Sequence, residues 1–427
     1  MVYVNSDFRV DIYAWDEKVA SILEHNGTLY VEPTPLALDL SPLNMKVLGA
    51  KSYPDLAFQS YLPGLFSDAL PGSYGLSYMD SYFMDKRGSI PSVLERLLFL
   101  GDNTLGALSF RPQMQTKELS GIIDLRDAHA YSKKAIEGVH DFDLAMLMAL
   151  SSSAGGGARA KAIAGFNHKS KEVFIASKHV TLPEDFMHAI IKFDEYKVDG
   201  HAHRPALYTD ASVYTKTEYI YSLIAKKLGI IMSDTFLVDT KEGAHFVTER
   251  FDRENGERIH MHSLSGLLHH DASRPKTLGY EMVFRTALAL DVPHANREQI
   301  FKVMVFNLVF GNRDDHSKNF SFLYTPTKKW CFSPAYDLSY VINSGAGSEH
   351  QLLINDRPAS WIKGSGLMML AKTFAITNVK EIIQETIEAK HSLFLEFAKE
   401  HQLPDAWVLE ILSKTKEIDT NLGDFYD

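Results

Sequence analysis

The stretch that most constrains this chain is residues 297–323, REQIFKVMVFNLVFGNRDDHSKNFSFL. Its first half spaces apolar residues as a helix does, up to Gly311. Its second half is a polar loop that leads into the apolar, β-prone FSFL. Helix, loop and strand must follow one another without a linker, so the loop is held from both ends.

Asp314 and Asn319 in that loop are spaced D-x-x-x-x-N. In phosphoryl transfer this spacing lets an aspartate orient the attacking hydroxyl while an asparagine holds a metal ion. Taken alone, the hexamer reads equally well as a polar turn capped by Asp and Asn. The downstream context favours the chemistry: after the strand-like FSFLYTPTKKWCFS comes PAYDLSY, with Asp337 in a loop where a second carboxylate would grip Mg²⁺ between phosphates. The triplet there is Asp337-Leu338-Ser339 and not D-F-G, a departure from ordinary eukaryotic kinases.

Upstream, Lys192 in AIIKF is a lysine inside an apolar run. It reads either as a strand-edge residue reaching solvent or as a phosphate contact. Glu218, on the helix expected over 211–229, would be its partner in the second case, although any such helix offers a surface glutamate. SSSAGGGARAKA, residues 151–162, permits close backbone approach to an anion, with Arg159 and Lys161 adding positive charge. It also reads as a flexible linker. VTERFD follows a hairpin expected to turn at Lys241 to Gly243.

The order of segments gives a mixed front region over 1–120, a β-rich module over 141–252 opened by the glycine stretch, and a mainly helical module over 253–427. At 427 residues two or three domains are expected. A single cysteine, Cys331, rules out an intramolecular disulfide and suits a cytoplasmic protein. The net charge of −10 argues against a dedicated nucleic-acid surface, and no apolar run approaches a membrane span. His260, His262, His269, His270 and Asp271 invite a metal site, but surface or loop histidines are the simpler expectation in a chain with 18 of them. Cys331 reads as a small core residue, and without a G-x-S-x-G elbow Ser-His-Asp hydrolysis is set aside.

LPGLFSDALPG, GDNTLGALSFRP, AGGGARAKA, HAIIKFD, TEYIYSLIAKKLGI, FVTERFDR, GNRDDHSKNFSFL and PAYDLS occur in this order along the chain. Together they make it resemble the HipA family of bacterial serine/threonine kinases, toxins of two-gene toxin–antitoxin modules. The resemblance spans nearly the whole chain. It implies an α+β fold, with an N-terminal α/β subdomain before a protein-kinase-like two-lobed domain whose C-terminal lobe is mainly helical.

It also implies residue roles. Asp314 would be the catalytic base, supported by His316 and Lys318, and Asn319 and Asp337 would hold Mg²⁺. Gly155, Gly156, Gly157, Ala158, Arg159 and Lys161 would fold over the phosphates of ATP, Lys192 would contact them, and Glu249, Arg250 and Phe251 would form the adenine-binding hinge. The family autophosphorylates a serine near the start of the glycine loop, which ejects the loop and switches the kinase off. Its usual spacing falls here on Ala154, so Ser153 or Ser152 would take that role after a local shift. The implied substrates are translation factors, aminoacyl-tRNA synthetases above all. The implied partner is a HipB-like helix-turn-helix antitoxin, through which DNA would be met only indirectly; no membrane contact is implied. A small-molecule kinase on the same fold and a non-toxic regulatory protein are the alternatives.

Overall fold

The computed structural model describes residues 8–114, 120–136, 161–176, 180–194, 212–241, 243–325, 327–341 and 349–425. Ser152, Ser153, Gly155, Gly156, Gly157, Ala158 and Arg159 lie outside the described residues. The class is α+β. One compact unit takes the described residues within 1–192, 249–271 and 323–327, the other those within 193–248, 272–322 and 328–427. No helix among the described residues is long and apolar enough to cross a membrane.

The first unit opens with β1 (Phe8–Ala14), β2 (Glu17–His25) and β3 (Thr28–Pro33), joined with β4 (Leu108–Arg111) in an antiparallel sheet of order β3-β2-β1-β4. Alternation of apolar residues along β1 buries Val10, Ile12 and Ala14 on one face, as a period of two requires. Between β3 and β4 the sequence suggests short alternating segments and one helix over Pro91 to Leu100; that helix is α2 (Val93–Leu100), and α1 (Ser73–Arg87) stands where only short segments were expected. A capping box starts α2: Ser92 accepts from the Glu95 amide and the Glu95 carboxylate accepts from the Ser92 amide.

Still in this unit, β5 (Ser120–Asp124), β6 (Lys161–Phe166), β7 (Glu172–Ala176) and β8 (Met187–Lys192) are antiparallel neighbours in the order β5-β7-β6-β8. The register of β6 on β8 pairs Ala162 with Ile191 and Lys161 with Lys192.

The second unit begins with α3 (Val213–Lys227) and the hairpin β9 (Thr235–Thr240) and β10 (Gly243–Glu249), which turns where the sequence indicated. Then come α4 (Tyr280–Ala289), α5 (His294–Phe310), β11 (Ser321–Tyr324) and β12 (Trp330–Phe332). Of the helices that close the chain, α6 (Val379–His391) and α7 (Asp405–Gly423) support the site. Helix α5 is the spine of the unit: from Val303 through Phe310 every residue is buried. Phe306 stacks on Phe310 one turn on, with centroids 4.3 Å apart, and the buried Tyr221 ring of α3 meets Phe310 edge-on at 5.0 Å. Each such pair adds about 0.5–1.5 kcal/mol beyond the area it buries.

Candidate active site

The loop carrying Asp314 hangs from the C-terminal end of α5, and that end is fixed by side chains. A helix leaves its last carbonyls without partners. Here the Tyr221 hydroxyl donates to the Phe310 carbonyl at 2.7 Å, and Lys390 of α6 donates to the Val309 carbonyl at 3.1 Å and to Thr415 Oγ1 of α7 at 2.9 Å. Burial pulls the Lys390 ammonium below its usual range, and Asp419 opposes this by pairing with it. The chain then turns through Gly311 at φ +65°, where a Cβ would lie 2.9 Å from Thr415. Only glycine makes this turn without strain.

Beyond Gly311 the two adjacent aspartates part. The Asp314 side chain is 48% exposed, and His316 Nε2 lies 3.8 Å from its carboxylate. Asp315 is fully buried: it accepts from the Tyr280 hydroxyl at 2.7 Å, from the Gln351 amide at 2.7 Å and from His350 Nδ1 at 2.9 Å. Burial and the neighbouring carboxylate push the Tyr280 phenol far above its usual range, so it stays a donor. The network continues, since Asn307 of α5 donates to the Tyr280 oxygen at 3.1 Å and accepts from Asn312 at 3.0 Å. Asn312 also donates to the Asp337 carbonyl at 3.3 Å, tying the second loop to the first. Sequence reasoning passed over Asp315, Tyr280 and His350; a second aspartate directly beside the first was the available signal.

Asp337 adopts φ +57°, a left-handed conformation that aspartate tolerates better than most residues. Tyr336 beside it is held by Ser321 at 2.6 Å and donates to the Lys318 carbonyl at 2.7 Å. Asn319 Nδ2 donates to the Asp314 carbonyl at 2.7 Å, which orients the amide and leaves Oδ1 with no hydrogen-bond partner among the described residues. An oriented amide oxygen and a carboxylate are hard donors of the kind Mg²⁺ takes, with nucleotide phosphates completing the shell. Among the described residues no three His, Cys, Asp or Glu side chains gather to hold a metal by themselves. Of the supporting residues, His316 is half-buried with Nδ1 unpartnered among the described residues, and Lys318 is exposed.

In the first unit, Lys161 opens β6 and Lys192 closes β8, directly opposite in register. Lys161 is buried, and Lys192, for which a solvent-reaching edge position and a phosphate contact were equal readings, is half-buried on a strand paired with β6. At the segment expected to form the hinge, the Arg250 amide donates to the His188 carbonyl at 2.9 Å. Its guanidinium is buried against Asp252, together with that of Arg253. Burial raises the Asp252 carboxyl, but Arg250 and Arg253 outweigh it and hold the group below the usual carboxylate range. Arg250 and Arg253 also donate to the Thr104 carbonyl, each at 3.0 Å, and the Gly106 amide donates to Asp252 at 2.6 Å. The segments GDNTLGALSF and FVTERFDR are thus one buried ionic knot, which nothing in either segment alone announces.

Other expectations change. His260 and His262 are buried in the short strand His260–Ser263 and are not surface or loop residues. His262 bridges Ser41 Oγ at 3.0 Å and Asp68 at 2.7 Å. This is a Ser-His-Asp line, but Ser41 and His262 have no exposure at all, so it clamps three segments and has no access for a substrate. Glu218 is buried on α3 and is not a surface glutamate. Cys331 is half-buried, and burial pushes its thiol up, as suits a packing residue.

A family model described as the HipA-like C-terminal domain matches residues 153–394. A Haemophilus influenzae protein that bears a kinase name is 28% identical over 141 residues, 30% of this chain and 41% of that one. A Sinorhizobium fredii protein, also named as a kinase, is 26% identical over 140 residues, 30% of this chain and 34% of that one. The chain thus spans less than half the length of either curated relative. Among solved structures, one from the complex of Shewanella oneidensis MR-1 toxin–antitoxin proteins HipA and HipB with operator DNA has a TM-score of 0.66 at 18% identity, covering 96% of both chains. That likeness shows a shared fold across nearly the whole length. With the family model covering more than half of its residues, the chain belongs to the HipA-like family.

Proposed function

We propose that this protein is an ATP-dependent kinase that transfers the γ-phosphoryl group to a serine or threonine of a protein. The observation that carries the reading is the division of labour in the Asp314 loop: Asp315 anchors it from within, Asn319 is oriented on the Asp314 carbonyl, and the Asp314 carboxylate is left half-exposed. Asp314 accepts the hydroxyl proton as the new O–P bond forms and the bond from the γ-phosphorus to the β–γ bridging oxygen breaks, with ADP leaving. Asn319 and Asp337 hold Mg²⁺, which spreads the charge of the phosphates when it is bound. Lys161 and Lys192 contact those phosphates, together with the glycine segment, and Glu249 to Phe251 meet the adenine. His316 and Lys318 support the loop.

Membership of the family supports a place in a toxin–antitoxin module, with a HipB-like helix-turn-helix protein as partner and an aminoacyl-tRNA synthetase or other translation factor as target. Incubation of the purified protein with γ-labelled ATP, Mg²⁺ and cell lysate should label a discrete protein band. Asp314→Ala should abolish labelling while leaving nucleotide binding largely intact. Near-normal turnover in Asp314→Ala would sink the site assignment, and label appearing only in small molecules would favour a metabolite kinase.

A further inference from the structure

Between the Asp314 loop and α7 lies a cavity of about 70 Å³, lined in part by Gly311, Arg313, His350, Ser360, Lys414 and Glu417. That is room for roughly five waters or one small tetrahedral anion, and far too little for a nucleotide. Arg313 makes one long contact, 3.5 Å to the Lys414 carbonyl, and neither Arg313 nor Lys414 has a carboxylate partner among the described residues. Glu417 is exposed at the rim, so the two cations outnumber it. His350 is only 4% exposed; with Nδ1 on Asp315, its Nε2 has no partner among the described residues.

We propose that this cavity binds a phosphoryl oxyanion, either free phosphate or a phosphorylated side chain, and that its occupancy fixes the Asp314 loop. Arg313 and Lys414 donate to the anion oxygens, and His350 Nε2 accepts from a P–OH group. The two residues flanking Asp314 are thereby held together, Arg313 directly and Asp315 through His350. The binding claim stands by itself; the consequence for turnover rests on the kinase reading.

The test is calorimetric titration of the full chain with inorganic phosphate, in the presence of saturating Mg²⁺ and a non-hydrolysable ATP analogue. A short phosphoserine peptide forms the second arm. Phosphate should bind, Lys414→Gln should weaken it about tenfold, and the double variant Arg313→Gln/Lys414→Gln should remove it. Phosphate should also slow amide exchange over residues 312–319 in the wild type alone. Peptide binding that depends on Lys414 and competes with phosphate would make a phosphorylated side chain the source; phosphate binding alone would make it the free ion. Absence of phosphate binding, displacement of phosphate by the analogue, equal binding in the double variant, or unchanged exchange would each overturn the proposal. Failure of the analogue itself to bind would count against the kinase reading, and the phosphate titration would then be judged without it.

Discussion

His350 Nδ1 sits 2.9 Å from the carboxylate of Asp315, a pair with almost no exposure, one residue along from the half-exposed Asp314. The backbone alternation that buries one aspartate presents the other. Asp315→Asn should therefore lower kcat while leaving the KM for nucleotide nearly unchanged, because it loosens the loop without touching the phosphate ligands. Stability should fall by about 1–3 kcal/mol, since an amide cannot accept from three donors as a carboxylate does. Denaturant unfolding beside steady-state kinetics would check both, and a variant with full kcat would show that Asp315 does not position Asp314.

Asn319 and Asp337 should separate by metal dependence. Asp337→Ala removes a charge and should raise the Mg²⁺ needed for half-maximal nucleotide binding by tenfold or more. Asn319→Ala removes a neutral donor and should raise it less, with the deficit partly repaired by excess Mg²⁺. Fluorescent-nucleotide titration across a range of Mg²⁺ would distinguish them. Equal, metal-independent losses would mean that these residues shape the loops and do not bind the ion.

The loops bearing Asp314 and Asp337 were legible because they interrupt strongly patterned helix and strand, and the β9–β10 hairpin because its turn chemistry is local. The start of the chain, MVYVNSDFRVDIYAW, likewise reads as an early strand from its alternating apolar residues, and Val10, Ile12 and Ala14 form the buried face of β1 with no need of a distant partner. What could not be read is held by residues far apart in sequence. Asp315 and His350 are 35 positions apart, and Gly106 and Asp252 are 146. Helix α1 was missed because SYGLSYMDSYFMDKR carries little helical segregation of apolar residues. His260 and His262 look like surface histidines until Ser41, Asp68 and the strand around them are in place.

Gly311 is a further point of leverage. At φ +65° an alanine is strained, and its Cβ would press on Thr415 and on the Tyr340 ring. Gly311→Ala should lower stability by about 1–3 kcal/mol and shift the Asp314 loop. Urea midpoints together with kcat would report both effects. A loss of stability with intact turnover would show that the loop's position is set by the Asp315 network alone.

The last prediction concerns acid. His260 is fully buried, and desolvation, aided by the neighbouring His262, pulls its ring down to about 3 from an ordinary 6.5. His269 is lowered to about 4, again chiefly by burial. Between pH 6.5 and these values the unfolded chain binds protons that the folded chain refuses, so stability rises with pH and is lost as pH falls through that window. For His260 alone the loss from pH 7 to pH 5 is about 2 kcal/mol, at 1.36 kcal/mol for each unit below the unfolded value. Melting temperature should therefore drop steadily from pH 6.5 to pH 5, before most carboxylates titrate. In His260→Gln, where nothing at that position takes up a proton, the slope should flatten, leaving the shares of His269 and His270, which burial also lowers. An unchanged slope in that variant would show that the His260 ring binds its proton as readily in the folded protein as in the unfolded chain.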